Sequence, residues 1–122
     1  MKSYECKLFM GSVRDGSQGL PFSEEYLIHE IKYWQSVHVD AKIVIRLTKT
    51  KFIYLNYEEE GWELSAIQYP RFPVPTYEIR AGMLRLAEHL MKVFEQKSIC
   101  VMDHEKVTYF GAEFDEHSSD GW

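Results

Sequence analysis

The amino-acid sequence predicts an α+β domain: an antiparallel sheet with two helices on one face, in the ferredoxin-like order β-α-β-β-β-α-β. Three observations predict it. Residues 4–10 alternate between apolar and polar, as a strand with one buried face does. Two segments, about 23–38 and about 76–96, carry apolar residues at helical spacing. Between them, residues 42–69 alternate again and are rich in β-branched and aromatic residues. Helices striped on one side bury those stripes most simply by lying together on one face of the sheet.

In the first strand Tyr4, Cys6, Leu8 and Met10 share a face. The stretch Gly11-Ser12-Val13-Arg14-Asp15-Gly16-Ser17-Gln18-Gly19 follows as a flexible loop. Its place between a strand and a helix would let backbone amides hold an anion. It matches neither the P-loop nor the dinucleotide pattern, and an ordinary long connection is the plainer reading. Ser23 is a good N-cap, with Glu24 and Glu25 against the positive end of the helix dipole. Phe22 and Leu27 are spaced as a hydrophobic staple. Leu27, Ile31, Trp34 and His38 then mark one helix face.

Residues 42–69 read as a meander of three strands, turning near Lys49-Thr50 and at Glu58-Glu59-Glu60-Gly61. The prolines of Tyr69-Pro70-Arg71-Phe72-Pro73-Val74-Pro75 make a stiff connector. Thr76 is placed to cap the second helix, whose stripe is Ile79, Met83, Leu86, Leu90 and Phe94. Ser98–Met102 reads as a strand, Asp103–Lys106 as a turn and Val107–Phe110 as a short return. The domain spans residues 1–110, and residues 111–122 form an acidic, flexible tail. A sheet covered on one face leaves the other open. Phe9, Val44, Tyr54 and Trp62 are candidates to line that face, and burying them predicts a homo-oligomer, most simply a dimer.

The 122 residues are 45% hydrophobic and 15% aromatic, enough for a packed core with rings to spare for a surface or pocket. A formal net charge of −5 argues against duplex nucleic acid as a partner. Cys6 and Cys100 stand outside any metal-ligand spacing and read as buried free thiols of a reducing, cytoplasmic compartment. The N-terminus lacks the apolar run of a secretory leader, and no segment approaches a membrane span.

Catalytic patterns are missing: there is no HExxH and no GxSxG. His104, Glu105, Glu113, Asp115, Glu116 and His117 could gather a divalent cation, but the plainer reading is a solvated acidic tail, so no metal or cofactor is predicted. Glu58–Glu60 reads as a loop charge cluster. The candidate ligand site is built on Arg71, held between prolines and flanked by Tyr69 and Phe72, with Arg14 and Arg80 as converging cations. An arginine fork beside aromatic faces suits a phosphate with a stacked base, or a protein hot spot. Against it stands the reading in which Tyr69 and Phe72 pack beneath the second helix and Arg71 points to water.

The run Lys51-Phe52-Ile53-Tyr54, Glu60-Gly61-Trp62-Glu63 and Ile67-Gln68-Tyr69-Pro70-Arg71-Phe72-Pro73 resembles small uncharacterised proteins of phages and mobile elements, over most of residues 4–102. The resemblance implies an accessory role such as counter-defence and carries no catalytic residues. The sequence thus predicts a non-enzymatic binding protein that caps a host protein or sequesters a small nucleotide signal. Two alternatives stand beside it: a small metal-assisted or acid–base hydrolase of phosphate esters, and a structural dimerisation module.

Overall fold

Cys6, Leu8 and Met10 point inward from the first strand, β1 (Glu5–Gly11), and are 0%, 0% and 2% exposed in the computed structural model, which describes residues 4–14, 20–71, 74–111 and 117–120. Helix α1 (Glu24–Val37) begins where the capping rule places it, the Ser23 hydroxyl accepting the Tyr26 amide at 3.1 Å. Its apolar stripe buries Leu27, Ile31 and Trp34. A short 3₁₀ turn (Val39–Ala41) leads to β2 (Arg46–Tyr54) and β3 (Tyr57–Ile67). Helix α2 (Thr76–Val93) follows, burying Ile79, Met83, Leu86 and Leu90. The chain closes with β4 (Ser98–Met102), β5 (Lys106–Gly111) and β6 (His117–Asp120).

The sheet order is β2-β3-β1-β4-β5-β6, and each neighbouring pair is antiparallel. Because β3 runs against both β1 and β2, those two strands are parallel with β3 between them. This is the split βαβ arrangement of a ferredoxin-like fold, with β5 and β6 added beyond β4. Cys6–Ala66, Leu8–Leu64 and Met10–Trp62 face one another across β1 and β3 on the helix side. Ile99, Val101, Thr108 and Phe110 complete that face, all buried.

Several of these expectations are corrected. The three-stranded meander is one long hairpin. Its turn is at Leu55-Asn56, with Leu55 in the left-handed region at φ 54°, and β2 runs straight through Lys49-Thr50. Glu58–Glu60 is strand, not turn: Glu58, Glu59 and Glu60 pair with Ile53, Phe52 and Lys51. Ladder bonding and a facing lysine outweigh the low strand preference of glutamate. The additional strand therefore sits at the far edge rather than inside the hairpin. Residues 117–120, expected as free tail, pair with β5. Thr76 does not cap α2. Pro75 holds the cap position, and its carbonyl accepts the Glu78 and Ile79 amides. Trp62 belongs to the core at 4% exposure. The β3 periodicity that turns Glu63 outward turns Trp62 toward the helices.

Candidate functional site

Arg14 and Arg80, two of the cations proposed from sequence to converge, lie at opposite ends of α2. The Arg14 guanidinium donates to the Val93 carbonyl at 2.5 Å and lies 5.4 Å from the ring centres of both Tyr26 and Phe94. Arg80 lies near the other end of α2, where it donates to Thr108 Oγ1 at 2.6 Å and stands 3.8 Å from the Asp103 carboxylate. At 1.5 Å rise per residue, Arg80 and Val93 are about 20 Å apart along the helix, too far for one small ligand to bridge these arginines. Tyr69 is half-buried, Arg71 is exposed, and Phe72 lies outside the described residues. Lys49 lies 5.9 Å from the Trp62 ring centre, and Arg46 pairs with Glu5 at 2.9 Å.

The two ends of β1 hold different chemistry. At its start, on the helix side, the Tyr4 hydroxyl donates to Asp103 Oδ2 at 2.8 Å. Asp103 Oδ1 accepts the Glu105 and Lys106 amides, each at 2.8 Å, which closes the β4–β5 turn. Burial by itself would raise the Asp103 pKa. The two amides, the Tyr4 hydroxyl and the Arg80 charge outweigh it and hold the carboxyl below its ordinary value. Burial and the Asp103 contact push the Tyr4 phenol far up, so it stays a donor. Burial, with the Asp103 charge, raises the Cys6 thiol to about 12. The Asp103 side chain is 5% exposed and held from several sides. This end is a latch joining the start of β1 to α2, β4 and β5, with its carboxylate engaged by protein donors.

At the other end of β1, on the open face, Gly11 and Gly61 stand side by side in the ladder. Gly61 is glycine for reasons of space, whereas a Cβ at Gly11 would meet the movable end of a side chain. A Cβ on Gly61 would lie 2.5 Å from Phe52 Cε2 and 2.4 Å from the Met10 carbonyl oxygen. A Cβ on Gly11 would lie 2.6 Å from Glu59 Oε1. The Phe52 ring and the Glu59 carboxylate thus rest over bare backbone. The two residues face each other across β2 and β3, and the Tyr57 hydroxyl donates to Glu59 Oε2. That hydrogen bond, with the carboxylate charge behind it, raises the Tyr57 pKa and keeps its proton in place. Phe9 meets Phe52 edge to face, with ring centres 6.3 Å apart. Glu63 and Lys7 approach at 3.8 Å on the same face.

Behind this surface the backbone is stitched firmly. Gln96 accepts the Gly11 amide at 3.0 Å and donates to the Val13 carbonyl, while the Ser12 hydroxyl donates to the Glu60 carbonyl at 2.9 Å. The result is a rigid floor with a phenol-bonded carboxylate beside two rings. Such a set can hold a cation, accept a proton and offer an apolar shelf. Among the described residues no group of three or more His, Cys, Asp or Glu side chains is arranged to hold a metal. Two grooves flank the 3₁₀ turn. One, of about 450 Å³, is lined by Trp34, Val39, Ile43 and Val44. The other, of about 420 Å³, is lined by Asp40, Tyr77, Glu78 and Arg85. Neither contains a residue singled out as a ligand contact from sequence.

The Tyr57–Glu59 pair was hidden by reading Glu58–Glu60 as a turn. The signal was present: the alternation of Trp62, Leu64 and Ala66 continues backward in phase, placing Tyr57, Glu59, Gly61 and Glu63 together on the opposite face.

No family model and no curated protein matches the chain. Among solved structures it is similar to a phage SAM lyase in complex with S-methyl-5'-thioadenosine, at 12% identity over 98% of this chain and 90% of the other, with a TM-score of 0.64. A phage SAM lyase in the apo state matches at 15% identity over the same shares, with a TM-score of 0.54. At these identities the likeness establishes a shared fold.

Proposed function

We propose that this chain is a phage counter-defence factor that binds S-adenosylmethionine on the open sheet face and cleaves it. The observation that carries the reading is the Glu59 carboxylate, set over Gly11 and bonded by the Tyr57 hydroxyl. The sulfonium of S-adenosylmethionine is a fixed cation, and a carboxylate with aromatic neighbours is its natural counterpart. The likeness to phage SAM lyases along nearly the whole chain supports this ligand over the phosphate suggested by Arg71. It also moves the reading from sequestering a nucleotide to consuming one.

A lyase step needs no water and no metal. The S–C bond to the amino-acid fragment breaks, and its electron pair stays on sulfur as the neutral thioether S-methyl-5'-thioadenosine. The carbon next to the broken bond gives its proton to Glu59, and the C–H electron pair becomes the carbon–carbon double bond of the released amino-acid fragment. Tyr57 keeps its own proton and steadies the carboxylate.

The test is to incubate the purified chain with S-adenosylmethionine and follow S-methyl-5'-thioadenosine by chromatography. Glu59→Gln is expected to lower the rate by about 100-fold or more, the range of a general base. Binding without cleavage returns the reading to sequestration. Neither binding nor cleavage overturns it.

A second reading, self-association, is favoured by the hairpin tip, where Ile53, Tyr54, Leu55 and Tyr57 are 66%, 74%, 82% and 58% exposed. Light scattering should give more than one copy per particle, and Leu55→Asp should lower the mass. A monomer at all concentrations removes this reading.

A further inference from the structure

We propose that Phe52, supported by Phe9, is the shelf on which the purine base of the ligand stacks, so that this face selects nucleosides over base-free sulfonium compounds. This rests on the assignment of the open face as the ligand site, and it adds what the site reads.

The argument begins with Gly61. Any Cβ there would enter the Phe52 ring, so the ring lies down over the strand instead of standing off the sheet. The edge-to-face contact with Phe9, at 76° between ring planes, steadies it there. Both residues are half-buried, consistent with rings that have one side toward the sheet and another accessible. A held ring is a good stacking surface because little side-chain freedom is lost when a base arrives.

Placement relative to Glu59 supplies the second part. Phe52 and Glu59 are direct cross-strand partners, whose Cβ atoms stand about 5 Å apart in an antiparallel ladder. In an adenosyl sulfonium the sulfur and the base are joined through one ribose. A base on Phe52 therefore leaves the sulfur within reach of the Glu59 carboxylate. Hydrogen bonds and ion pairs on this face join Tyr57 to Glu59, Lys7 to Glu5 and Glu63, and Arg46 to Glu5, while Phe52 and Phe9 offer only ring surface, so the shelf reads an aromatic plane rather than a hydrogen-bonding edge. Discrimination among bases is expected to be small, and discrimination between base and no base large.

The experiment is calorimetry with S-methyl-5'-thioadenosine, adenosine and S-methylmethionine against the full chain and its Phe52→Leu and Phe52→Tyr variants. Leucine keeps the apolar cover and removes the ring, while tyrosine restores the ring. A base–aromatic stack is worth about 1–3 kcal/mol, so Phe52→Leu should weaken both nucleosides about 10-fold or more, Phe52→Tyr should bind as the parent does, and S-methylmethionine should be unaffected. Equal weakening of all three ligands, or no weakening by Phe52→Leu, overturns the shelf while leaving the sulfonium reading intact. Nucleosides that depend on Phe52, with S-adenosylmethionine titrated in the same way binding no more tightly than adenosine, support the shelf and sink the sulfonium reading. A parent chain that binds neither nucleoside overturns the shelf.

Discussion

The start of β1 and its end hold carboxylates of opposite character. Asp103, near the start, has a side chain only 5% exposed and receives two amides and a phenol beside Arg80. Glu59, near the end, takes one phenol and lies over Gly11. The same residue chemistry serves stability in one place and is available to a ligand in the other. The difference is how much of each carboxylate's bonding capacity the protein itself consumes.

This contrast can be broken by mutation. The largest effect is expected at the latch. Asp103→Ala strands Arg80 and the Tyr4 hydroxyl under the helix and should cost about 3 kcal/mol, read as a lower urea midpoint. A loss below about 1 kcal/mol would show that water replaces the carboxylate there without penalty.

The pH profile sharpens the same point. Asp103 titrates below its ordinary 3.8 in the folded chain, so its contribution is complete above that value and is lost as pH falls through the folded pKa. Cys6 titrates at about 12 against an ordinary 9.0, so its contribution is complete below pH 9 and is lost as pH rises toward 12. Thermal melts should therefore be flat from about pH 5 to 9 and fall on both sides. Cys6→Ala should reduce the alkaline fall. A profile that already drops at neutral pH would contradict the buried thiol.

Glu59→Gln is the counter-experiment. It should change stability by no more than about 0.5 kcal/mol while removing the proposed cleavage, because the carboxylate supports little of the fold. If it unfolds the chain, Glu59 is a second latch and the contrast fails. The smallest effect belongs to Glu5→Gln. The Arg46–Glu5 pair is 63% and 34% exposed at its side chains, so its loss should cost about 0.5 kcal/mol or less and vanish in high salt.

The helices were legible because their signals are local. Ser23, the first-turn glutamates and the stripe of Leu27, Ile31 and Trp34 lie within a few turns of one another, and α1 follows them to within one residue at each end. The stripe from Ile79 through Leu90 is likewise local, although α2 starts on a Pro75 cap rather than a Thr76 hydroxyl and ends at Val93, short of the expected 96. The hairpin was less legible. Period-two alternation names the faces of a strand but not the point where the chain reverses, and this chain turns at a leucine in the left-handed region. The arginines were least legible. Arg14 and Arg80 are held by a carbonyl, rings, a hydroxyl and a carboxylate contributed by distant segments.

By itself, then, the sequence determined the α+β class, the two helices, the inward face of β1 and the mild acidity, because each depends on residue types read over a short stretch. Tertiary structure alone decided which glycines meet, which carboxylate is consumed and which remains available. Gly11 with Gly61, Phe52 with Glu59 and Tyr4 with Asp103 are neighbours only across ladders and turns. Register in a sheet is fixed by the whole buried face at once, and no local pattern carries that information.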